Sequence, residues 1–254
     1  MVEYARKGLI GLLTPQANTT VEPEFAILMP PGYAFLNARM ASDKPTIEGR
    51  LVDYFDGIEI SIRQFADAPL GAFAFACTGS SYLQGIARER AAVEAAEAAH
   101  GIAFLTAGRA VADALRHFGA RRIGLVSPYP ADLTQASVAY WREHGFEIET
   151  VVGIYDSASK AHPIYNLSAA RAEAAIDAID LKKVDAVVML GTGMPTLGAI
   201  LARASAAPVP ILSCMSALAW RSLTVFDRSF DNADAARRYF AGQGWREHFA
   251  YVMG

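Results

Sequence analysis

Cysteine is the scarcest informative residue: 254 residues hold only two, Cys77 and Cys214. Two thiols so far apart build no disulfide framework, so a reducing, cytoplasmic compartment is expected. An excess of one charge is also missing, since 26 acidic residues against 23 basic ones leave a net charge of −3. Without a basic excess there is no electrostatic footprint for nucleic acid or an anionic membrane surface, and neither is expected as a partner. No apolar run reaches membrane-spanning length before a charge or helix breaker intervenes. The opening stretch Met1-Val2-Glu3-Tyr4-Ala5-Arg6-Lys7 lacks the apolar core of a secretory signal. His100, His117, His144, His162 and His248 are scattered at no metal-ligand spacing, so no metal is expected. A Gly-x-Ser-x-Gly nucleophile elbow is absent, and no histidine is placed to complete a triad. The glycine-bearing stretch Gly191-Thr192-Gly193 has neither the Walker lysine nor the dinucleotide spacing, so no nucleotide cofactor is expected. No glycosidase-type carboxylate pair stands out from the other acidic residues.

What is present is a 53% hydrophobic chain, enough for one large domain or two small ones. Short apolar runs alternate with longer helical patterns, which predicts an α/β protein with parallel strands. The predicted strands are Gly8–Leu13, Ala34–Arg39, Gly71–Ala76, Ile102–Leu105, Ile123–Ser127, Phe146–Val152, Ala186–Leu190 and Val209–Ser213. Ile47, Leu51, Phe55, Ile58, Ile62 and Phe65 recur every three or four residues and predict one amphipathic helix. Ala-rich segments predict helices over Arg88–Ala99 and Ala169–Ile179. The strand–helix series restarts within Ala107–Ala120. The aromatic C-terminal part, with Trp220, Tyr239 and Phe240, is expected to return to the first domain. The expected domains are therefore 1–110 with 214–254, and 111–213.

Both cysteines sit where an apolar strand meets a small, polar helix start: Phe73-Ala74-Phe75-Ala76-Cys77-Thr78-Gly79-Ser80-Ser81 and Pro210-Ile211-Leu212-Ser213-Cys214-Met215-Ser216. Taken singly, each reads as a buried core thiol. The shared setting turns the reading towards chemistry. Free N–H groups and the positive end of the helix dipole favour a thiolate there. Ligands bind beyond the carboxyl ends of parallel strands, so both thiols are expected to enter one cleft. Thr78, Gly79 and Ser80 leave their helix start open, so Cys77 is expected to be the more acidic thiol.

Four loops supply the other candidates. Thr14-Pro15-Gln16-Ala17-Asn18-Thr19-Thr20 reads as a capped turn, and Asn18 also carries an amide that can hold a carboxylate. Gly79 allows close approach, and the successive N–H groups after Cys77 can form an anion nest. In Ser127-Pro128-Tyr129-Pro130 the phenol of Tyr129 is either a carboxylate donor or a packed turn tyrosine. The last region combines Gly191-Thr192-Gly193-Met194-Pro195-Thr196 with Ser213-Cys214-Met215. The candidate catalytic residues are Cys77 and Cys214. The candidate substrate-binding residues are Pro15, Asn18, Thr78, Gly79, Tyr129, Gly193 and Met215.

With these motifs in this order, nearly the whole chain resembles the aspartate/glutamate racemase superfamily, and within it the maleate cis–trans isomerase and arylmalonate decarboxylase branch. The resemblance implies two pseudo-symmetric α/β domains with the site between them. Amino-acid racemases carry a second cysteine in a Gly-Cys-Thr motif, where this chain has Gly191-Thr192-Gly193. Its second thiol follows the later strand, as in the isomerase and decarboxylase branch. Arylmalonate decarboxylases have glycine at the position matching Cys77, so two thiols favour an isomerase or racemase over a pure decarboxylase. Isomerases have asparagine where Gly193 falls, and Asn166 is a candidate for their second-domain asparagine.

The resemblance implies that a Cys77 thiolate adds to the double bond of a small carboxylate or dicarboxylate while Cys214 supplies and recovers a proton, with no cofactor. A homo-oligomer is expected. Racemisation or decarboxylation through an enediolate is the alternative, and a non-catalytic carboxylate-binding protein is another.

Overall fold

The first strand of the computed structural model, Gly8–Pro15, is buried at every position, as a central parallel strand covered on both faces must be. Residues 2–157 and 163–254 are described; His162 and the middle of the Tyr155–Asn166 stretch lie outside them. In chain order the described residues form β1 (Gly8–Pro15), α1 (Val21–Leu28), β2 (Tyr33–Met40), α2 (Ile47–Asp56), α3 (Ile58–Ile62), β3 (Ala72–Phe75), α4 (Thr78–His100), β4 (Ala103–Thr106) and α5 (Ala107–His117). There follow β5 (Arg122–Ser127), α6 (Ala131–Glu143), β6 (Glu147–Gly153), α7 (Ala169–Asp177), β7 (Ala186–Met189), α8 (Leu197–Arg203), β8 (Ile211–Ser213), α9 (Cys214–Phe226), α10 (Ala233–Phe240) and α11 (Arg246–Met253).

The strands make two parallel sheets of identical order, β2-β1-β3-β4 and β6-β5-β7-β8. The fold is α/β with two pseudo-symmetric halves, as expected. In each sheet the chain leaves the first strand to one side and returns on the other. This creates a switch point between β1 and β3, and another between β5 and β7, where ligand crevices form. After β8 the chain crosses back, and α9 packs on α1, α5, β3 and β4 of the first half. Its final residue, Phe226, lies so close to the backbone of β3's approach that a Cβ on Gly71 would stand 2.3 Å from the ring.

Each expected strand is present, with ends moved by one or two residues. The helix expected from Ile47 to Phe65 is not continuous. It breaks at Gly57 into α2, α3 and a 3-10 turn over Arg63–Phe65. Gly57 carries no side chain to hold the helical path, yet its N–H still bonds Asp53 O at 2.8 Å, so the apolar spacing runs on across the bend. The helix expected at Arg88 instead begins at Thr78 and is interrupted at Gly85, whose φ of 73° leaves the helical region.

Candidate active site

The loops after β1, β3, β5 and β7 flank the two switch points and meet between the halves. They carry Asn18, Cys77, Tyr129 and Gly191–Gly193 respectively. Three sets of hydrogen bonds hold the second half's loop to the first half. Thr192 Oγ1 donates to Ala76 O at 2.8 Å, and Thr20 Oγ1 donates to Gly193 O at 2.9 Å. The buried Glu24 carboxyl accepts from the backbone N–H of Thr196 and of Leu197 and from the Thr196 hydroxyl.

Asn18 has the capping role that its sequence allowed. Its Oδ1 accepts from Thr20 N at 2.8 Å and Val21 N at 3.0 Å, capping α1. Its Nδ2 lies 3.4 Å from where a Cβ on Gly193 would stand. Arg39 fixes this loop from behind, donating to Gln16 O at 3.1 Å and Asn18 O at 2.9 Å while pairing with Glu22.

A cleft of about 50 Å³ opens here, lined by Pro15, Asn18, Cys77, Thr78, Gly79, Tyr129 and Gly193 among others. Seven of the nine sequence candidates are thus brought together. Cys214 and Met215 do not line it. Both are fully buried behind it. The reason is topological. Cys77 follows β3, a switch-point strand, whereas Cys214 follows β8, paired only with β7. The local settings match, but the two positions are offset by one strand, and the counterpart of Cys77 in the second half is the loop at Gly191. Thr78 bridges the offset. Its hydroxyl is 3.0 Å from Tyr129 Oη and also faces the Cys214 sulfur.

Cys77 is the N-cap of α4 and 3% exposed. Its Sγ is 3.1 Å from Ser80 Oγ, which itself donates to Leu51 O at 2.7 Å. A hydroxyl has one proton, so here the Cys77 S–H is the donor to Ser80. Burial pushes the Cys77 thiol up, against the opposing pull of the Ser80 hydroxyl and the N–H groups of Ser80 and Gly79. Burial pushes Cys214 up to about 11, against donors from Thr78, the Gly191 N–H, Tyr82 and its own N–H. The Cys214 S–H points to Met189 O at 3.5 Å. The expectation that the helix starts favour a thiolate is therefore corrected: desolvation outweighs the opposing hydrogen bonds at both positions.

Tyr129 is packed as a turn tyrosine, with its ring on Tyr82 at a centroid distance of 6.1 Å, and it also lines the cleft. Gly191 makes room for it. Its φ is +83°, and a Cβ there would meet Pro128 at 2.9 Å and Tyr129 Oη at 3.2 Å. At Gly193 a Cβ would meet the Tyr165 ring at 2.5 Å, so that aromatic occupies the space of a side chain at 193.

Sequence reasoning missed several lining residues: Ile47, Arg50, Leu51 and Tyr54 of α2, together with Ile164, Tyr165 and Thr192. The spacing of Ile47 and Leu51 was legible as an apolar helix face, but nothing local aimed that face at Cys77. Asn166 is exposed and is not among the lining residues. Among the described residues no group of three or more metal-ligating side chains occurs, and no helix is long and apolar enough to cross a membrane.

Residues 10–239 match the family model described as arylmalonate decarboxylase. A maleate isomerase of Nocardia farcinica is 29% identical over 230 residues, covering 86% of this chain and 90% of its own length. A maleate isomerase of Pseudomonas putida is 25% identical, covering 86% of this chain and 91% of its own. Among solved structures, a mutant maleate cis–trans isomerase of Nocardia farcinica with a covalently bound succinylcysteine intermediate superposes with a TM-score of 0.75. It is 27% identical, and the match covers 87% of this chain and 93% of that one.

Proposed function

The chain belongs to the arylmalonate decarboxylase family, and from that premise we propose that it is a cofactor-independent, two-cysteine cis–trans isomerase of a small dicarboxylate such as maleate. The observation that carries this reading is the pair of thiols on either side of Thr78, one in the cleft and one behind it. The curated relatives are maleate isomerases, and the succinylcysteine in the Nocardia relative is the adduct such a thiol would form.

In the proposed reaction Cys77 releases its proton to solvent before the first turnover and, as thiolate, adds to one olefinic carbon. The π electrons move to the neighbouring carbon and its carboxylate, and that carbon takes the proton of Cys214. The result is a succinyl thioether and a Cys214 thiolate. Rotation about the new single bond follows. Cys214 then removes the proton, the C–S bond breaks with its electron pair returning to Cys77, and the trans double bond forms. The Nδ2 of Asn18, the Tyr129 phenol and the N–H groups at Thr78 and Gly79 are assigned to the carboxylate next to the reacting carbon, where charge accumulates. Met215, outside the cleft, is left out of this set. A homo-oligomer and a cytoplasmic location remain part of the proposal.

The test is maleate turnover in deuterated water, followed by NMR, for the wild type and for Cys77→Ala and Cys214→Ala. Cys77→Ala is expected to abolish fumarate formation, and Cys214→Ala to lower it about 10²- to 10⁴-fold, the range for a lost acid–base group. Undiminished turnover by Cys77→Ala would end the covalent reading. Carbon dioxide release from an arylmalonate by the wild type, with no action on maleate, would replace it with decarboxylation.

A further inference from the structure

Among the described residues lining the Cys77 cleft, Arg50 is the one charged side chain. It sits on α2, one turn before Tyr54, which lines the same cleft. Its Nη1 reaches the carbonyl oxygens of Lys44 and Pro45, both at 3.3 Å, at the long end of the hydrogen-bond range. Guanidinium offers five donors, and among the described residues Arg50 forms no ion pair. Arg39 differs in being paired with Glu22 and in not lining the cleft. The field of Arg50 also reaches into the cleft, where it counters the effect of burial on the phenols of Tyr54 and Tyr165.

The uncharged donors of the cleft, Asn18, Tyr129 and the N–H groups after Cys77, suffice for one carboxylate. Gly193 adds no side-chain donor, and Tyr165 fills the space where one would project. A second carboxylate brought into this cleft needs a counter-charge, and among the described lining residues Arg50 carries it.

We propose that Arg50 is a specificity-determining residue: its half-buried guanidinium, in no ion pair among the described residues, binds the substrate's second anionic group and selects dianions over monoanions. The substrate rests on the isomerase reading; the anion site itself does not.

The experiment separates the two. In a Cys214→Ala background, the rate at which neutral iodoacetamide alkylates Cys77 is measured with added succinate or with its monoanionic amide, succinamate. Neither is a substrate for isomerisation. With Arg50 present, succinate is expected to half-protect at a concentration about 10- to 100-fold below that of succinamate, as for one charge-assisted pair. Arg50→Gln should bring that ratio close to 1, and Arg50→Lys should restore part of it. An unchanged unfolding midpoint shows that each variant is folded. A ratio near 1 with Arg50 intact, or one that survives Arg50→Gln, overturns the inference. Maleate turnover is assayed in parallel with Cys214 intact. There Arg50→Gln should raise KM for maleate much more than it lowers kcat. Selective protection without any maleate turnover would sink the isomerase reading and leave the anion site standing. Turnover that is insensitive to Arg50→Gln would do the reverse.

Discussion

Glu24 offers a measurement in which pH, stability and the join between the halves are tied to one carboxyl group. It projects from α1 and is 6% exposed. Its acceptors serve the Thr196 hydroxyl at 3.0 Å and the Leu197 N–H at 3.2 Å, at the start of α8. Burial raises it from the ordinary 4.5 to about 7, and the donors from Thr196 and Leu197 only partly oppose that rise. The unfolded chain releases this proton near pH 4.5, the folded chain near pH 7. Between those values the folded state binds more protons, so stability falls as pH rises. The contribution is fully present below pH 4.5 and is lost as pH passes about 7.

At about 1.36 kcal/mol per pH unit, the whole window is worth about 3 kcal/mol, of which about 2.5 kcal/mol falls between pH 5 and 8. Glu24→Gln keeps a carbonyl acceptor for the α8 donors and removes the titration. Urea unfolding followed by the fluorescence of the buried Trp141, Trp220 and Trp245 supplies the assay. The stability of the wild type minus that of Glu24→Gln is expected to fall by about 2.5 kcal/mol from pH 5 to pH 8. Parallel curves across that range would refute the assignment of a raised, buried carboxyl to this junction.

Two further outcomes test packing and thiol chemistry. Gly71→Ala places a Cβ 2.3 Å from the Phe226 ring and is expected to cost about 1–3 kcal/mol through overpacking, with Phe226→Leu in the same chain recovering part of the loss. In Cys77→Ala, alkylation of Cys214 followed by mass spectrometry should climb about tenfold per pH unit up to pH 10, because its thiol titrates near 11; a plateau below pH 9 would contradict that burial.

The strands were readable because each is an apolar run closed by small polar residues, a local signal. Their division into two halves follows from the restart of that series within Ala107–Ala120, while the order of strands within each sheet does not. The loops at Asn18, Cys77, Tyr129 and Gly191 were legible for the same reason: each follows a strand and contains residues unusual for a plain turn. What failed was non-local. Apolar spacing from Ile47 to Phe65 runs unbroken through Gly57, so a bend that changes no apolar position left no mark in the pattern. Arg50 occupies a polar position of an amphipathic helix, where an arginine ordinarily meets only water. Its place beside Cys77 depends on how α2 docks. The acidity of the thiols was misread because a helix start is visible in sequence while the surrounding layers of buried side chains are not. The one-strand offset between Cys77 and Cys214 likewise depends on sheet order, which two similar strand ends cannot reveal.

Burial of both thiols looks at first like an argument against thiol chemistry, but it serves to divide the labour. A thiol titrating near 11 keeps its proton at neutral pH. It is therefore a ready donor to the far more basic carbanion that follows addition, and its thiolate is a strong enough base to take the proton back. Such a group is badly suited to be the resting nucleophile. Cys77 has the complementary surroundings. Its donors come from the first turn of α4, with the Ser80 hydroxyl beside the sulfur. For that hydroxyl to stabilise a thiolate, its proton must turn from Leu51 O to the sulfur, a rotation requiring no backbone movement. A dianionic substrate would oppose a third negative charge in so small a cleft. The proposed pairing with Arg50 offsets part of that repulsion, so the group that selects the substrate also eases formation of the nucleophile. Loss of Arg50 should then lower kcat for maleate as well as raise KM, kcat by the smaller factor. An unchanged kcat would confine Arg50 to binding.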